Sequence, residues 1–227
     1  MKICSIITAR GGSKGIPRKN IKSLNGKPVL AYSIEHSIST KLIENTYVST
    51  EDKEISKVSR DFGAKIIKRP EELAEDTSSS VDVVLHSLEY LENKSELPDF
   101  FVLLQPTSPL RTSKDIENAI KLFIDNECDS LISVCEISHA SMLSLSLKND
   151  FLVPNCDEEF LNKRRQDLPT YYSPNGAIYI TTPESLRKNN TFIPKKTIPY
   201  VMPKERSVDL DTPFDFKLAE FLLKNKM

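Results

Sequence analysis

One pattern limits what this chain can fold into. Short apolar runs rich in β-branched residues alternate with stretches of helical spacing. Lys2 to Thr8 (KICSIIT) is such a run, of the kind buried on both faces of a sheet. A helical pattern opens at Pro28 and runs to Ser39, with Leu30, Ile34 and Ile38 on one face. Asn45 to Ser49 reads as a second strand, followed by a helix from Glu51 to Phe62 that Gly63 ends. AKIIK is the next strand, and Ser78 to Leu91 a helix whose stripe is Val81, Val84, Leu85, Leu88 and Leu91. Phe100 to Leu104, a helix from Ser113 to Asn126 and the strand Ser130 to Val134 continue the series. This β-α-β-α order predicts an α/β fold, a mainly parallel sheet with helices on both faces.

The pattern changes after Cys135. SMLSLSLKNDFLVPN reads as two strands joined at Lys148-Asn149-Asp150, and a polar, basic segment EEFLNKRRQDLPTYYSPNG precedes the strand AIYIT. Residues 1–135 and 177–227 are therefore expected to form the core and 136–176 an inserted extension, a common place for oligomer contacts. TIPYVM as a strand and a helix from Pro213 to Lys224 return the chain to α/β.

Composition narrows the class. A chain of 227 residues with 39% apolar and 28% charged residues suits one soluble globular domain, or one with an extension. A net charge of −1 argues against a dedicated nucleic-acid binder. No apolar run approaches the roughly 18 to 20 residues that span a bilayer. The first apolar stretch ends at Arg10 without a small-residue cleavage pattern, so no secretory signal is expected and the cytosol is the expected location. Cys4, Cys128, Cys135 and Cys156 form no CxxC pair, and His36, His86 and His139 are far apart, so neither set predicts a zinc site.

Residues 9 to 20, ARGGSKGIPRKN, follow the first strand directly. The first 34 residues hold seven Lys or Arg and no Asp or Glu. Ligands of such sheets bind beyond the carboxyl ends of the strands, where glycines let backbone N–H groups approach phosphate. The loop is not a Walker loop, because Lys14 precedes Gly15 instead of following the last glycine. Gly11, Gly12 and Gly15 also miss the GxGxxG spacing of dinucleotide folds. What remains is a glycine turn with its own cations: Arg10, Lys14, Arg18 and Lys19. A nucleoside triphosphate carries about four negative charges, and one pair at 4 Å and an effective dielectric of about 20 is worth about 4 kcal/mol before desolvation. Several cations and Mg²⁺ suit a triphosphate better than a neutral sugar or a peptide.

Strand–ARGGSKGIPRKN, then LNGKP and a helix, resembles the CMP-sialic acid synthetases, the N-acylneuraminate cytidylyltransferases. The resemblance continues through VST, KRPEELAEDTSSS, LLQPTSPLR, RRQDLPTYYSPNGAIYI and SVDLDTPFD, in order and over nearly the whole chain. It implies a Rossmann-like three-layer nucleotidyltransferase fold, a homodimer built on the extension, Mg²⁺, CTP and an acidic nine-carbon sugar. By that resemblance Arg10, Gly12, Ser13 and Lys14 line the triphosphate, Lys19 lies near the α-phosphate, and Asn20 holds the ribose. Arg69 and the stretch Asp76 to Ser80, with Thr77, Ser78 and Ser79 at its centre, would read cytosine, the serines also standing at a helix start. Gln105 is implied at the acidic sugar, and Arg111 is expected either to orient its own loop or to bind phosphate or the sugar carboxylate. Arg165 is implied at the acceptor carboxylate, in cis or across a dimer. Asn175 and Tyr179 would lie near the acceptor, with Phe192 as a wall for its N-acyl group.

Asp209 and Asp211 are two residues apart, so on an extended backbone their side chains point to one side and could share Mg²⁺. Helix capping through Thr212 and Asp215 is the competing explanation, which accounts for Asp215 and leaves Asp209 without a role. The expected reaction transfers CMP from CTP to the anomeric hydroxyl of N-acetylneuraminate. Legionaminic acid is the alternative acceptor, because Ile193 and Glu51 depart from the sialic acid pattern. The pseudaminic branch, associated with GGSKRIP, is less expected where this chain has Gly15. A non-catalytic nucleotide-binding regulator and an NAD-dependent oxidoreductase are the readings from other classes.

Overall fold

The computed structural model describes residues 1–13, 15–138 and 143–225, the side chains of Glu158 and Arg165 excepted. Its centre is a seven-stranded sheet. In chain order its strands are β1 (Ile3–Thr8), β4 (Asn45–Thr50), β5 (Lys65–Lys68), β6 (Phe100–Leu104), β7 (Ser130–Glu136), β10 (Tyr172–Thr181) and β11 (Thr197–Met202). They lie side by side as β11-β7-β10-β6-β1-β4-β5, while β2 (Ser23–Leu24) and β3 (Lys27–Pro28) form a separate two-stranded ribbon. Only β10 runs antiparallel to its two neighbours, so the expected mainly parallel sheet is what forms.

Alternation along each strand sorts side chains onto the two faces. Ile3 and Ile7 of β1, with Phe100, Val102 and Leu104 of β6, face α1 (Val29–Ile38), α2 (Lys53–Asp61) and α4 (Ser113–Ile124). Cys4 and Ile6, with Phe101 and Leu103, face α3 (Ser80–Asn93) and Leu186 of a short helix, α6 (Pro183–Asn189). The result is three layers. Cys4 is buried, as its apolar surroundings predict, and burial pushes its thiol up to about 12.

A third apolar cluster decides where the site lies. Ile16 from the glycine turn, Leu24, Val29 and Tyr32 pack with Leu210, Phe216 and Ala219, the last two from α7 (Pro213–Asn225). Each such buried side chain is worth roughly 1.5–3 kcal/mol. The packing draws the carboxyl end of the chain back against its beginning, which no local pattern could encode.

Two helices start at the expected Ser113 and Pro213, and the other three expected starts shift by one or two residues. Asp52 caps α2 by accepting from Glu54 N and Ile55 N (2.9 and 2.8 Å), so Glu51 stays outside the helix. Ser79, and neither Thr77 nor Ser78, caps α3. Helix α6 went unread in the sequence because PESLRKN carries a single buried aliphatic, Leu186. Beyond β7 the chain forms the hairpin β8 (Leu145–Lys148) and β9 (Phe151–Pro154). Asn149 and Asp150 both take positive φ there, as a tight two-residue turn requires. A short helix, α5 (Glu158–Leu161), follows. The expected boundaries at 136 and 176 fall on paired strands, since Tyr172–Pro174 of β10 pair with Glu136–Val134 of β7. No helix among the described residues is long and apolar enough to cross a membrane.

Candidate active site

Strand β1 lies between β4 and β6, so the direction of chain progression reverses beside it, the place where open α/β sheets bind ligands. A cleft of about 330 Å³ opens there at the carboxyl ends of the strands. Arg10, Gly12, Ser13, Lys19, Asn20, Arg69, Ser78, Gln105, Asp209 and Asp211 all line it. Residues separated by some 200 positions in sequence thus share one wall.

The closest link between the two ends is at Lys19. Its Nζ donates to the Leu210 carbonyl (2.5 Å) and lies 3.5 Å from Asp211 Oδ1. Leu210 N in turn donates to the Thr107 carbonyl (2.9 Å), joining the aspartate segment to the loop after β6. Gly15 permits this approach: a Cβ there would stand 2.5 Å from the Asp211 carbonyl oxygen.

Asp209 is the most exceptional carboxylate of the cleft. Its Oδ1 is buried and has no hydrogen-bond partner among the described residues. Burial pushes its pKa up and Asp211 adds to this, while a hydrogen bond from Thr107 and the charge of Lys19 oppose it. Such an oxygen fits a cation better than an apolar wall, and Mg²⁺ takes only one or two protein carboxylates. Capping does not explain Asp209: the α7 start is completed by Thr212 and Asp215, whose carboxylate accepts from Thr212 N and Oγ1 (both 2.7 Å).

The glycine turn is held by acids. Gly11 N donates to Glu51 Oε1 (2.6 Å), and Arg18, in a left-handed backbone conformation, pairs with Asp52 (2.6 Å) and Glu54 (2.7 Å). Arg18 therefore braces the turn, and the cations of the turn that face the cleft are Arg10 and Lys19 among the described residues. Arg10 reaches across to the Ala74 carbonyl (3.4 Å) and Asp76 (2.5 Å), and Asn20 donates to the Arg10 carbonyl (2.9 Å). Lys14 lies outside the described residues.

The base-reading candidates divide. Arg69 is 4% exposed and held by Ser49 Oγ and the Ser49 carbonyl, with burial lowering its pKa to about 10, so it remains charged at neutral pH. It is a wall of the cleft and not a loose strand end. Ser78 lines the cleft, whereas Thr77 and Ser79 do not; Ser79 is occupied with Asp82 of α3.

The expected sugar residues are placed differently. Gln105 lines the cleft, but Arg111, Asn175, Tyr179 and Phe192 do not. Arg111 is fully buried and donates to the Ala177 and Gln105 carbonyls and to Ser33 Oγ (2.7, 3.3 and 2.6 Å). It organises the loop after β6, the first of the roles open to it, and its placement with the sugar residues is corrected accordingly. Asn175 spends its amide on Ser133, Ala177, Met202 and Ser207, and so ties strands together. Tyr179 and Phe192 pack ring to ring at 5.4 Å, and Tyr179 lies near enough to Asp209 for that charge, after burial, to raise its pKa. The Arg165 side chain lies outside the described atoms.

Sequence reasoning passed over Glu51 as a brace and Thr107 as a tether. Glu51 directly follows the motif VST and Thr107 sits within LLQPTSPLR, but their roles need partners far away in the chain.

Comparisons with known proteins agree with this geometry. A family model described as cytidylyltransferase matches residues 4–220. The chain is 35% identical over 227 residues to an N-acylneuraminate cytidylyltransferase of Escherichia coli O18:K1:H7, covering 99% of this chain and 53% of that protein. It therefore spans about half the length of that relative. It is 34% identical over 226 residues to a pseudaminic acid cytidylyltransferase of Campylobacter jejuni, covering 99% and 97%. A CMP-N,N'-diacetyllegionaminic acid synthase of Legionella pneumophila is 32% identical over 233 residues, covering 99% and 97%. Among solved structures, a CMP:2-keto-3-deoxy-manno-octonic acid synthetase complexed with CTP superimposes with a TM-score of 0.74 over the whole of both chains. At 18% identity that likeness is one of fold. With a matching family model over nearly its whole length, the chain belongs to the cytidylyltransferase family.

Proposed function

We propose that the protein transfers CMP from CTP to the anomeric 2-hydroxyl of a sialic acid-like nonulosonic acid, N-acetylneuraminate in the first instance, releasing pyrophosphate. The observation that carries this is the meeting of Lys19 and Arg10 with Asp209 and Asp211 in one cleft. The hydroxyl oxygen forms a bond to the α-phosphorus, the bond to the bridging oxygen of pyrophosphate breaks, and the hydroxyl proton leaves. Arg10, the backbone of the glycine turn and Lys19 hold the phosphates and stabilise charge that develops on them. Asn20 takes the ribose, and Arg69 with Ser78 takes the base. Gln105, at the end of β6, faces the acceptor, and Arg165 is assigned to its carboxylate.

Asp209 and Asp211 are the residues that would hold Mg²⁺, as the orphaned oxygen of Asp209 supports. When bound, that ion supplies charge neutralisation at the phosphates. No histidine among the described residues lines the cleft, and none is assigned as a base. The working form is taken to be a cytoplasmic homodimer. Leu147, Phe151 and Leu152 stand 71%, 74% and 66% exposed on the β8–β9 hairpin, an apolar surface that a second copy would cover.

Legionaminic acid is retained as the second acceptor, since relatives named for sialic, pseudaminic and legionaminic acids match at similar identity. A regulator without catalysis has no use for the buried, partnerless oxygen of Asp209. The test is pyrophosphate release from CTP with neuraminic, legionaminic, pseudaminic and octulosonic acids side by side. Turnover with N-acetylneuraminate at least comparable to the others supports the reading; release with none of them, by a protein that binds CTP, would sink it.

A further inference from the structure

The segment that carries Asp209 and Asp211 has no regular structure between the 3-10 turn Lys204–Arg206 and α7. Backbone geometry alone therefore does not set where the two carboxylates stand. They are held from outside. Ser207 Oγ accepts from Asn175 Nδ2 (2.9 Å), Leu210 N is tied to Thr107, and the Leu210 side chain is fully buried.

The entry to the segment is fastened most heavily. Arg206 Nε donates to Asp115 Oδ2 (3.0 Å) and its Nη2 to Asp115 Oδ1 (2.8 Å), a two-pronged pair. Asp115 is 2% exposed and sits in the first turn of α4. Its Oδ2 also accepts from Thr112 N and Oγ1 (2.9 and 2.7 Å), which completes the capping box. Capping would need no more than that oxygen. Oδ1 is given wholly to Arg206 and to the Tyr200 hydroxyl (3.2 Å). Burial pushes this carboxyl up, but hydrogen bonds from Arg206 and Thr112 outweigh it and keep it charged at neutral pH.

We propose that Arg206, seated on Asp115, is a positioning residue that sets the Asp209–Asp211 pair for a divalent cation without touching nucleotide or sugar. Asp209 lies three positions after Arg206, and an extended chain advances at most about 3.6 Å per residue. Loosening the pair thus leaves the carboxylates free to drift on the scale at which catalysis is lost, where a shift of about 1 Å can cost on the order of 10² in rate. The proposal rests on the aspartates being the metal pair, so its test must separate the two ideas.

The experiment compares Arg206→Ala, Arg206→Lys and Asp209→Asn with the parent protein. Four quantities are read: Mn²⁺ binding by electron paramagnetic resonance with a non-hydrolysable CTP analogue, the Mg²⁺ needed for half-maximal pyrophosphate release, KM for CTP at saturating metal, and the melting temperature. Arg206→Ala should weaken Mn²⁺ binding about tenfold and raise the Mg²⁺ requirement equally, as loss of an outer support does. KM for CTP at saturating metal should stay within about twofold. Arg206→Lys should restore part of the loss, keeping the charge but not the fork, and it remains informative if the alanine variant does not fold. A lower melting temperature with unchanged Mn²⁺ affinity in both Arg206 variants would overturn the proposal and leave the pair a structural fastener. If Asp209→Asn also leaves Mn²⁺ affinity unchanged, the assignment of the metal pair fails with it; if Asp209→Asn alone weakens binding, only the role of Arg206 fails.

Discussion

The nucleotide end of the cleft and the extension beyond β7 are built on opposite principles. At the nucleotide end the glycine turn and two cations are braced by the core: Gly11 by Glu51, Arg69 by Ser49, Lys19 by the Leu210 carbonyl. On the extension, Leu147, Phe151 and Leu152 project from a two-stranded hairpin that pairs with no other strand of the described residues. The first region is finished within one chain. The second carries the surface that the proposed second copy would cover. Triphosphate chemistry demands charges fixed before the ligand arrives, because reorganising them during reaction would cost what they gain. Recognition of the acceptor has no such complete frame here, as four of its expected residues lie outside the cleft.

The strongest way to break this contrast is to remove Asp209. Asp209→Ala should lower pyrophosphate release by about 10³ or more, as removing a preorganised charge from such a site does, with the fold retained on circular dichroism. Near-full turnover would show that the braced region is not where the chemistry happens. Next in size is Lys19→Ala, expected to cost about 10²–10³ in kcat, because one charged donor to the developing charge is lost.

The extension is tested by Leu147→Asp with Phe151→Asp. Sedimentation should find monomers, sugar-dependent turnover should fall, and CTP affinity by calorimetry should stay within about twofold if the nucleotide end is self-sufficient. A parallel loss of CTP binding would erase the distinction between the regions. Arg111→Met sharpens the comparison from the other side. It should lower stability by roughly 3 kcal/mol in urea titration, since charged hydrogen bonds inside the protein are broken, while KM for the acceptor changes little.

The smallest effect is a pH dependence. The Asp115 carboxyl is held lower in the folded protein than in the unfolded chain. Its contribution is therefore fully present above the ordinary carboxylate range and lost as pH falls through the folded value. Urea midpoints should drop on acidification, and less steeply in Arg206→Ala.

Much of the molecule was legible in its residues. Strands Phe100–Leu104 and Thr197–Met202 and the hairpin turn at Asn149-Asp150 lie where apolar runs and turn chemistry place them. Arg10, Lys19, Asp209 and Asp211 face one cleft, as the motifs imply. The resemblance implies Asn175 at the sugar and leaves Arg111 open, yet both spend their polar groups inside the protein, on the Ala177 carbonyl and on Ser207 among others. The two-residue shift that frees Glu51 for Gly11 depends on a cap whose value is local but whose purpose is not.

By itself, the sequence determined the order of strands and helices and the chemistry offered at their carboxyl ends, because periodicity and turn preference act over a dozen residues or fewer. Only tertiary structure decided which of the arginines remain available to a ligand. Arg10 opens into the cleft, Arg69 forms its wall and Arg111 disappears beneath it, since burial depends on how β6, β10 and α4 pack and not on the residues beside each arginine.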